Sequence, residues 1–314
     1  MDASAQNDII AKLIWRSSSS LKCIRLDIRI LVTSHESVFS QLASHCYHLR
    51  SIYIYVPPTI TSLEQLTATG PAANGAYNSI WSNLDLLSRR LHTFCLTMRR
   101  ASEKFMNELF AAVCSLTNLR NLMLCGTQYP TACVSRDFFL QLCLSLQKLE
   151  RLRITGIHVE SDAFVDGVSR LESLKVLAGH LGVPLRLTGV QFILNSCAQL
   201  EKFVYFGLVI NDDDLRKLLL MKPAQLGTIA FCNAAHLTAE GIRGTCAELL
   251  NYQERLELYV IRNNAVYDDK FFDNLRSKGV NVKLFSRNEV CNLATKSSAY
   301  GDIWQQLYWT NLMT

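Results

Sequence analysis

Leu119-Arg120-Asn121-Leu122-Met123-Leu124 returns, thirty residues on, as Leu149-Glu150-Arg151-Leu152-Arg153-Ile154. Both stretches follow one phrase: leucine, two residues, an apolar residue, one residue, another apolar residue. The phrase stands again at Leu21-Ile24-Leu26, Leu49-Ile52-Ile54, Leu91-Phe94-Leu96, Leu200-Phe203-Tyr205 and Leu226-Ile229-Phe231. A weaker copy, Leu174-Leu177, ends on Gly179, and Leu256-Leu258-Val260 reads in either of two registers. The leading leucines fall at 21, 49, 91, 119, 149, 174, 200, 226 and 256, so the steps are 28, 42, 28, 30, 25, 26, 26 and 30 residues. One long step among eight is the mark of a repeat with one insertion. The apolar alternation inside each phrase suits a short strand with one buried face.

Helix-like stretches lie between the phrases, each behind a residue suited to cap it. Ser135 precedes Asp137 to Leu146, and Ser161 precedes Asp162 to Leu174. Asn211 precedes Asp212 to Met221, and Thr238 precedes Ala239 to Leu250. Each unit is thus a strand followed by a helix, and neither element can bury its apolar side alone, so units must stack. A doubly wound α/β domain also alternates strands and helices. It keeps no fixed period, however, and usually carries a glycine-rich ligand loop after its first strand. This chain has the period and lacks the loop.

Composition narrows the classes further. The 314 residues are 49% hydrophobic and 19% charged, which supplies a large core and argues against disorder. The net charge of +5 comes from 32 basic and 27 acidic residues spread along the chain. The densest basic pairs, Arg89-Arg90 and Arg99-Arg100, read as solvated helix or loop ends and are too sparse for a nucleic-acid footprint. Asp2 and Asp8 stand where a signal peptide has its basic segment, and Lys12 interrupts Ile9 to Trp15. No apolar run is long enough to span a bilayer. The 11 cysteines are odd in number and scattered, with no Cys-x-x-Cys, and no Asn-x-Ser/Thr sequon occurs. That pattern fits free thiols in the cytoplasm or nucleus better than a disulfide framework.

Over roughly residues 20 to 285 the chain resembles the ribonuclease-inhibitor-like leucine-rich repeats, especially the cysteine-containing repeats attached to F-box proteins. The phrases Ile210-Asn211-Asp212-Asp213-Asp214-Leu215 and Leu237-Thr238-Ala239-Glu240-Gly241-Ile242 are most similar to that family's helix starts. The resemblance implies an α/β leucine-rich-repeat solenoid, a horseshoe with a parallel β-sheet on its concave face and helices on its convex face. It also implies a scaffold that recruits substrates to a ubiquitin ligase, or one that binds partners on its own. Two features depart from the family. Thr127, Ile157, Leu208 and Ala234 stand where its Asn or Cys bonds the backbone of the turn, so those groups need other partners. No F-box module is visible before Leu21. The expected organisation is an incomplete N-terminal repeat or cap helix over 1–20 and the solenoid over 21–285, with an inserted loop at about 57–78 marked by Pro57-Pro58 and Gly70-Pro71. A C-terminal cap or tail follows over 286–314, where Ile303, Trp304, Leu307 and Tyr308 share one helical face.

No nucleophile elbow, phosphate loop, paired-histidine metal helix or dinucleotide fingerprint occurs. Asp212-Asp213-Asp214 reads as an acidic first turn that suits the helix dipole. His45 and His48, with His35 nearby, lack a third ligand, and Cys114, Cys125, Cys133 and Cys143 are expected to fill the core. No catalytic residue, metal or cofactor is expected, and the chain is read as a non-enzyme.

Residues between the apolar ones of each phrase point away from the core. These are Arg25 and Asp27, Tyr53 and Tyr55, Cys95 and Thr97, Met123 and Cys125, Arg151 and Arg153. Further along come Val176, Ala178 and His180, Val204 and Phe206, Ala230 and Cys232. Tyrosine, methionine and arginine are the types that anchor protein interfaces. Tyr53, Tyr55, Met123, Arg151 and Arg153 are therefore the expected contacts for another protein, ubiquitin-ligase subunits among the candidates. Neither nucleic acid nor membrane is expected as a partner. The expected role is a substrate- or partner-recruiting adaptor; the alternative is an enzyme-regulating scaffold of the inhibitor or GTPase-activating type.

Overall fold

The computed structural model describes residues 12, 14–28, 31, 38–55, 81, 83–98, 101–126, 132–181, 184–221, 225–232, 236–249, 256–262 and 280–286. The expected insertion at 57–78 and the tail beyond 286 lie outside them. The chain forms two compact units, residues 1–173 and 174–314, and each repeats strand, turn and helix. The fold is an α/β leucine-rich-repeat solenoid.

In the first unit the order is β1 Cys23–Asp27, α1 Val38–His45, β2 Ser51–Tyr55, a 3-10 turn Leu84–Leu87, β3 Thr93–Met98, α2 Glu103–Cys114 and β4 Asn121–Gly126. It continues with β5 Ala132–Cys133, α3 Arg136–Ser145, β6 Arg151–Thr155, β7 Ile157–His158 and α4 Ser161–Val168. The main strands pair in parallel: Cys23 with Ser51, Ser51 with Thr93, Thr93 with Asn121, Asn121 with Arg151. The long step between β2 and β3 leaves this register intact. One backbone device fixes every junction. The amides of Arg50 and Ser51 both donate to the Lys22 carbonyl, at 2.8 and 3.1 Å. Those of His92 and Thr93 do the same to Arg50, those of Arg120 and Asn121 to His92, and those of Glu150 and Arg151 to Arg120.

In the second unit β8 Val176–His180, β9 Leu185–Arg186, α5 Leu187–Ser196, β10 Lys202–Phe206 and β11 Leu208–Val209 are followed by α6 Asp212–Leu220. Then come β12 Thr228–Cys232, α7 Ala239–Leu249, β13 Leu256–Arg262 and β14 Val280–Ser286. Its junctions use the same fork: Glu201 and Lys202 donate to the Lys175 carbonyl, and Gly227 and Thr228 to that of Glu201. The ambiguous last phrase is settled by pairing of Ile229 with Leu258 and Phe231 with Val260. The leading place thus falls one residue before Leu256. A further strand, β14, pairs with β13 from Leu256–Val280 onward and extends the ladder past the nine phrases.

Phrase apolars form the core. Leu49, Ile52, Leu91, Phe94, Leu119, Leu122, Leu200, Phe203, Leu226 and Ile229 are fully buried. Behind them α2, α3 and α4 each bury a phenylalanine, with Phe110 and Phe139 at 6.5 Å and Phe139 and Phe164 at 5.8 Å between ring centroids. Burying such rings supplies the main driving force, at about 25 cal/mol per Å² of apolar surface.

Helix starts follow the caps in the sequence, with one exception. Asn211 and Asp214 form a reciprocal capping box, the Asp214 amide donating to Asn211 Oδ1 at 2.9 Å. Asp212 accepts from the Thr238 amide at 2.8 Å, and Thr238 Oγ1 accepts from the Gly241 amide at 2.9 Å. The acidic run is therefore structural. A Cβ at Gly241 would overlap the Asp212 carboxylate, so a larger residue there would displace Asp212 from Thr238. The exception is α4, which begins after Glu160 and stops at Val168 instead of reaching Leu174. Its last turn is diverted because the Leu171 amide bonds the Val168 carbonyl at 3.0 Å, steering Leu174 into its own buried phrase position.

At two of the four turn positions that depart from the resembled repeats the backbone pairs with a neighbouring repeat, and Thr127 and Ala234 lie outside the described residues. Ile157 and Leu208 sit in β7 and β11, which pair in parallel with β5 and β9 as small separate ladders. Both side chains are buried. Gly156 and Gly207 turn the chain from the main strand into the small one with φ of +71° and +87°. At Gly156 a Cβ would lie 2.8 Å from the Gly126 carbonyl oxygen, so both conformation and space demand glycine.

A candidate partner-binding face

The fork of amides holds adjacent strands of the first unit in strict register, so equivalent residues form columns about 4.8 Å apart. One column is Arg25, Tyr53, Cys95, Met123 and Arg153. Flanking it are Asp27, Tyr55, Thr97, Cys125 and Thr155 on one side, and Ser51, Thr93, Asn121 and Arg151 on the other. The structure thus brings the five sequence-selected residues onto one sheet face.

Their exposures differ. Arg25 and Arg151 are exposed, Tyr53 and Met123 are half-buried, and Tyr55 is 50% exposed. The Arg25 guanidinium carbon lies 5.5 Å from the centre of the Tyr53 ring, a cation–π contact that holds both side chains. Burial pushes the Tyr53 phenol up from its ordinary pKa, with Cys23 and Cys95 adding to the shift and Arg25 opposing it. Asn121 Nδ2 donates to Thr93 Oγ1 at 3.0 Å, a polar rung across neighbouring strands.

Arg153 departs from the expected exposure, at only 7% exposed. It lies near the Cys95 thiol, whose pKa is pushed up to about 12 by burial and the neighbouring Cys125 against the opposing pull of Arg153. Arg153 is thus buried, while Arg151 two residues earlier in the same strand is exposed.

The second unit corrects a larger part of the expectation. Val176, Ala178, Val204 and Ala230 occupy the same face positions, yet their exposures are 5%, 7%, 3% and 0%. These side chains are small or wholly apolar and gain from leaving water, whereas Tyr55 and Arg151 keep polar ends in it.

The remaining candidates resolve into structural roles. Arg90, expected to be a solvated end, donates to the Ala43 and Cys46 carbonyls at 2.6 and 3.3 Å, and its guanidinium lies 5.4 Å from the Tyr47 ring. It closes the C-terminus of α1, where a cation is favoured. Among the four dense cysteines, Cys143 is buried, Cys114 and Cys125 are intermediate and Cys133 is exposed, so core filling holds for only part of the group. Nine cysteines are free among the described residues. Burial pushes the Cys197 and Cys246 thiols up to about 12, which keeps them protonated and poorly nucleophilic. Among the described residues, no group of three or more His, Cys, Asp or Glu is placed to hold a metal, and no helix is long and apolar enough to cross a membrane.

No protein-family model and no curated protein matches the chain. Among solved structures it is similar to the leucine-rich repeat-containing protein LegL7 from Legionella pneumophila, at 10% identity and a TM-score of 0.40, covering 91% of this chain and 98% of that one. It is also similar to a chain of the Rad7 and Elc1 complex in yeast, at 13% identity and a TM-score of 0.41, covering 90% of this chain and 83% of that one.

Proposed function

We propose that this protein is a partner-recruiting adaptor whose contact surface is the strand face of the first unit. One observation carries the reading. A rigid parallel ladder presents Tyr53, Tyr55, Met123 and Arg151 together, half-buried or exposed, with Arg153 buried in the same column. Rigid aromatic area with a polar tip, a flexible apolar filler and a fixed cation are the side chains that dominate protein-binding energetics. The partner is a protein met in the cytoplasm or nucleus. The resemblance of the helix starts to F-box-associated repeats makes ubiquitin-ligase components the first partners to look for.

Affinity purification with quantitative mass spectrometry tests the reading, using wild type, Tyr55→Ala with Arg151→Ala, and Leu144→Ala on the helix side. A defined set of proteins should be held by wild type and Leu144→Ala and lost from the double variant. Equal recovery by all three would remove the strand face as the contact surface. Arg153 is left intact because truncating a 7% exposed side chain would confound binding with folding.

A further inference from the structure

One position of the repeat alters along the chain in a way the phrase itself does not require. The residue after each leading leucine is Lys22, Arg50, His92 and Arg120 in four successive repeats, and then Glu150. All five belong to the first unit. The corresponding residues of the second unit, Lys175, Glu201 and Gly227, show no common sign. Backbone forks tie each of the five to the next, amide to carbonyl, so the row is as rigid as the ladder it borders. At about 4.8 Å per strand the four basic positions span roughly 14 Å.

The row is open to solvent and short of counter-charge. Lys22 and Arg120 are exposed, and Arg50 and His92 are half-buried. Among the described residues one carboxylate pairs with it: Glu150, 3.0 Å from Arg120 and thus at its end. The crowding is felt at His92, whose imidazole is held below the usual histidine range first by burial and then by Arg50 and Arg120. Like charges aligned a strand apart repel, and an arriving anion relieves that repulsion.

We infer that the row Lys22–Arg50–His92–Arg120 is the docking track for an acidic segment of the bound protein, running across the starts of β1 to β4, three residues before Tyr53 in β2 and Met123 in β4. This rests on the proposed partner-binding role and gives that partner a charge. Three standing cations, with a histidine between Arg50 and Arg120, match a few carboxylates of an extended peptide, which advances about 3.4 Å per residue. They are fewer than the six to ten phosphate contacts typical of a protein held on nucleic acid. Glu150 sets the far end, because a longer acidic segment would meet a carboxylate there.

The test is fluorescence anisotropy at low ionic strength with a labelled decapeptide of glutamate and aspartate around one central leucine. The proteins are wild type, Arg50→Glu with Arg120→Glu, and a control of equal charge change on the helix side, Lys104→Glu with Arg136→Glu. The row variant should lose about tenfold or more in affinity and the control less than about twofold. Added salt should weaken wild-type binding. Saturating peptide should raise the His92 pKa, followed by NMR. Arg50→Gln with Arg120→Gln serves if the reversed-charge variant does not fold, and should show a smaller loss in the same direction. Equal losses in row variant and control, or an unmoved His92, would overturn the inference. So would a labelled oligothymidylate that binds more tightly than the peptide and depends on the same two arginines. Such failures leave the adaptor reading intact if Tyr55→Ala with Arg151→Ala still loses its captured proteins.

Discussion

The two units share a backbone plan and differ in what their strands turn outward. In the first, the face column runs Arg25, Tyr53, Cys95, Met123, Arg153; in the second it runs Ala178, Val204, Ala230 and on to Tyr259 and Lys283. The amide forks, the positive-φ glycine corners and the small secondary ladders recur in both. Where side chains are described, long polar groups reach solvent from the first unit's column, while Ala178, Val204 and Ala230 of the second are buried. Scaffold and surface are therefore separable: the phrase apolars and corners build the repeat, and the residues between them set what it can bind.

The sharpest way to break that contrast is to place the same side chain on both faces. Ala230→Arg puts a charge at a position with no exposure and should cost at least about 4 kcal/mol or prevent folding. Met123→Arg, in the same column of the first unit, should cost less than about 1 kcal/mol. Urea unfolding of both variants decides, and equal costs would mean that the two faces are alike. Core positions should show no such contrast. Leu122→Ala and Ile229→Ala, each fully buried, should both lose roughly 3 kcal/mol in the same assay. A loss below half a kilocalorie at Leu122 would put the register in error.

Corner glycines should also behave alike in the two units. Gly156→Ala and Gly207→Ala each force a side chain into the left-handed region and should lose about 2 kcal/mol. Gly156→Ala should be the worse, since its Cβ also meets the Gly126 backbone.

The smallest expected effect is on pH dependence, with one histidine in each unit. His92 is held below its ordinary pKa by burial and then by Arg50 and Arg120, and His180 by burial. Unfolded chains therefore take up these protons first, so stability should be full above the ordinary histidine value near 6.5 and fall as the pH drops below it. His92→Gln and His180→Gln should each flatten part of that slope in thermal melts at pH values between about 5 and 7.

The repeat was legible because leucine at a fixed spacing is a one-dimensional signal. So were the helix starts at Asn211 and Thr238, whose capping chemistry acts within a few residues. The small ladders were hidden: Ile157 and Leu208 look like defects in a motif until their strands find β5 and β9 one repeat earlier. The end of α4 was hidden likewise, because Leu171 and Leu174 keep helical spacing while serving the next strand. On the strand face, alternation told which residues leave the helix side. It could not tell that Ala230 would be covered and Tyr55 left open, since that depends on the size and polarity of whatever packs nearby.

Site-specific photocrosslinking tests the partner face most directly. A benzophenone side chain is placed either at Tyr55, 50% exposed on the strand face, or at Leu144, 54% exposed on the helix side, so accessibility is matched. The captured partner should crosslink from position 55 and not from position 144. Crosslinking from position 144 alone would contradict the account and move the binding surface to the helices.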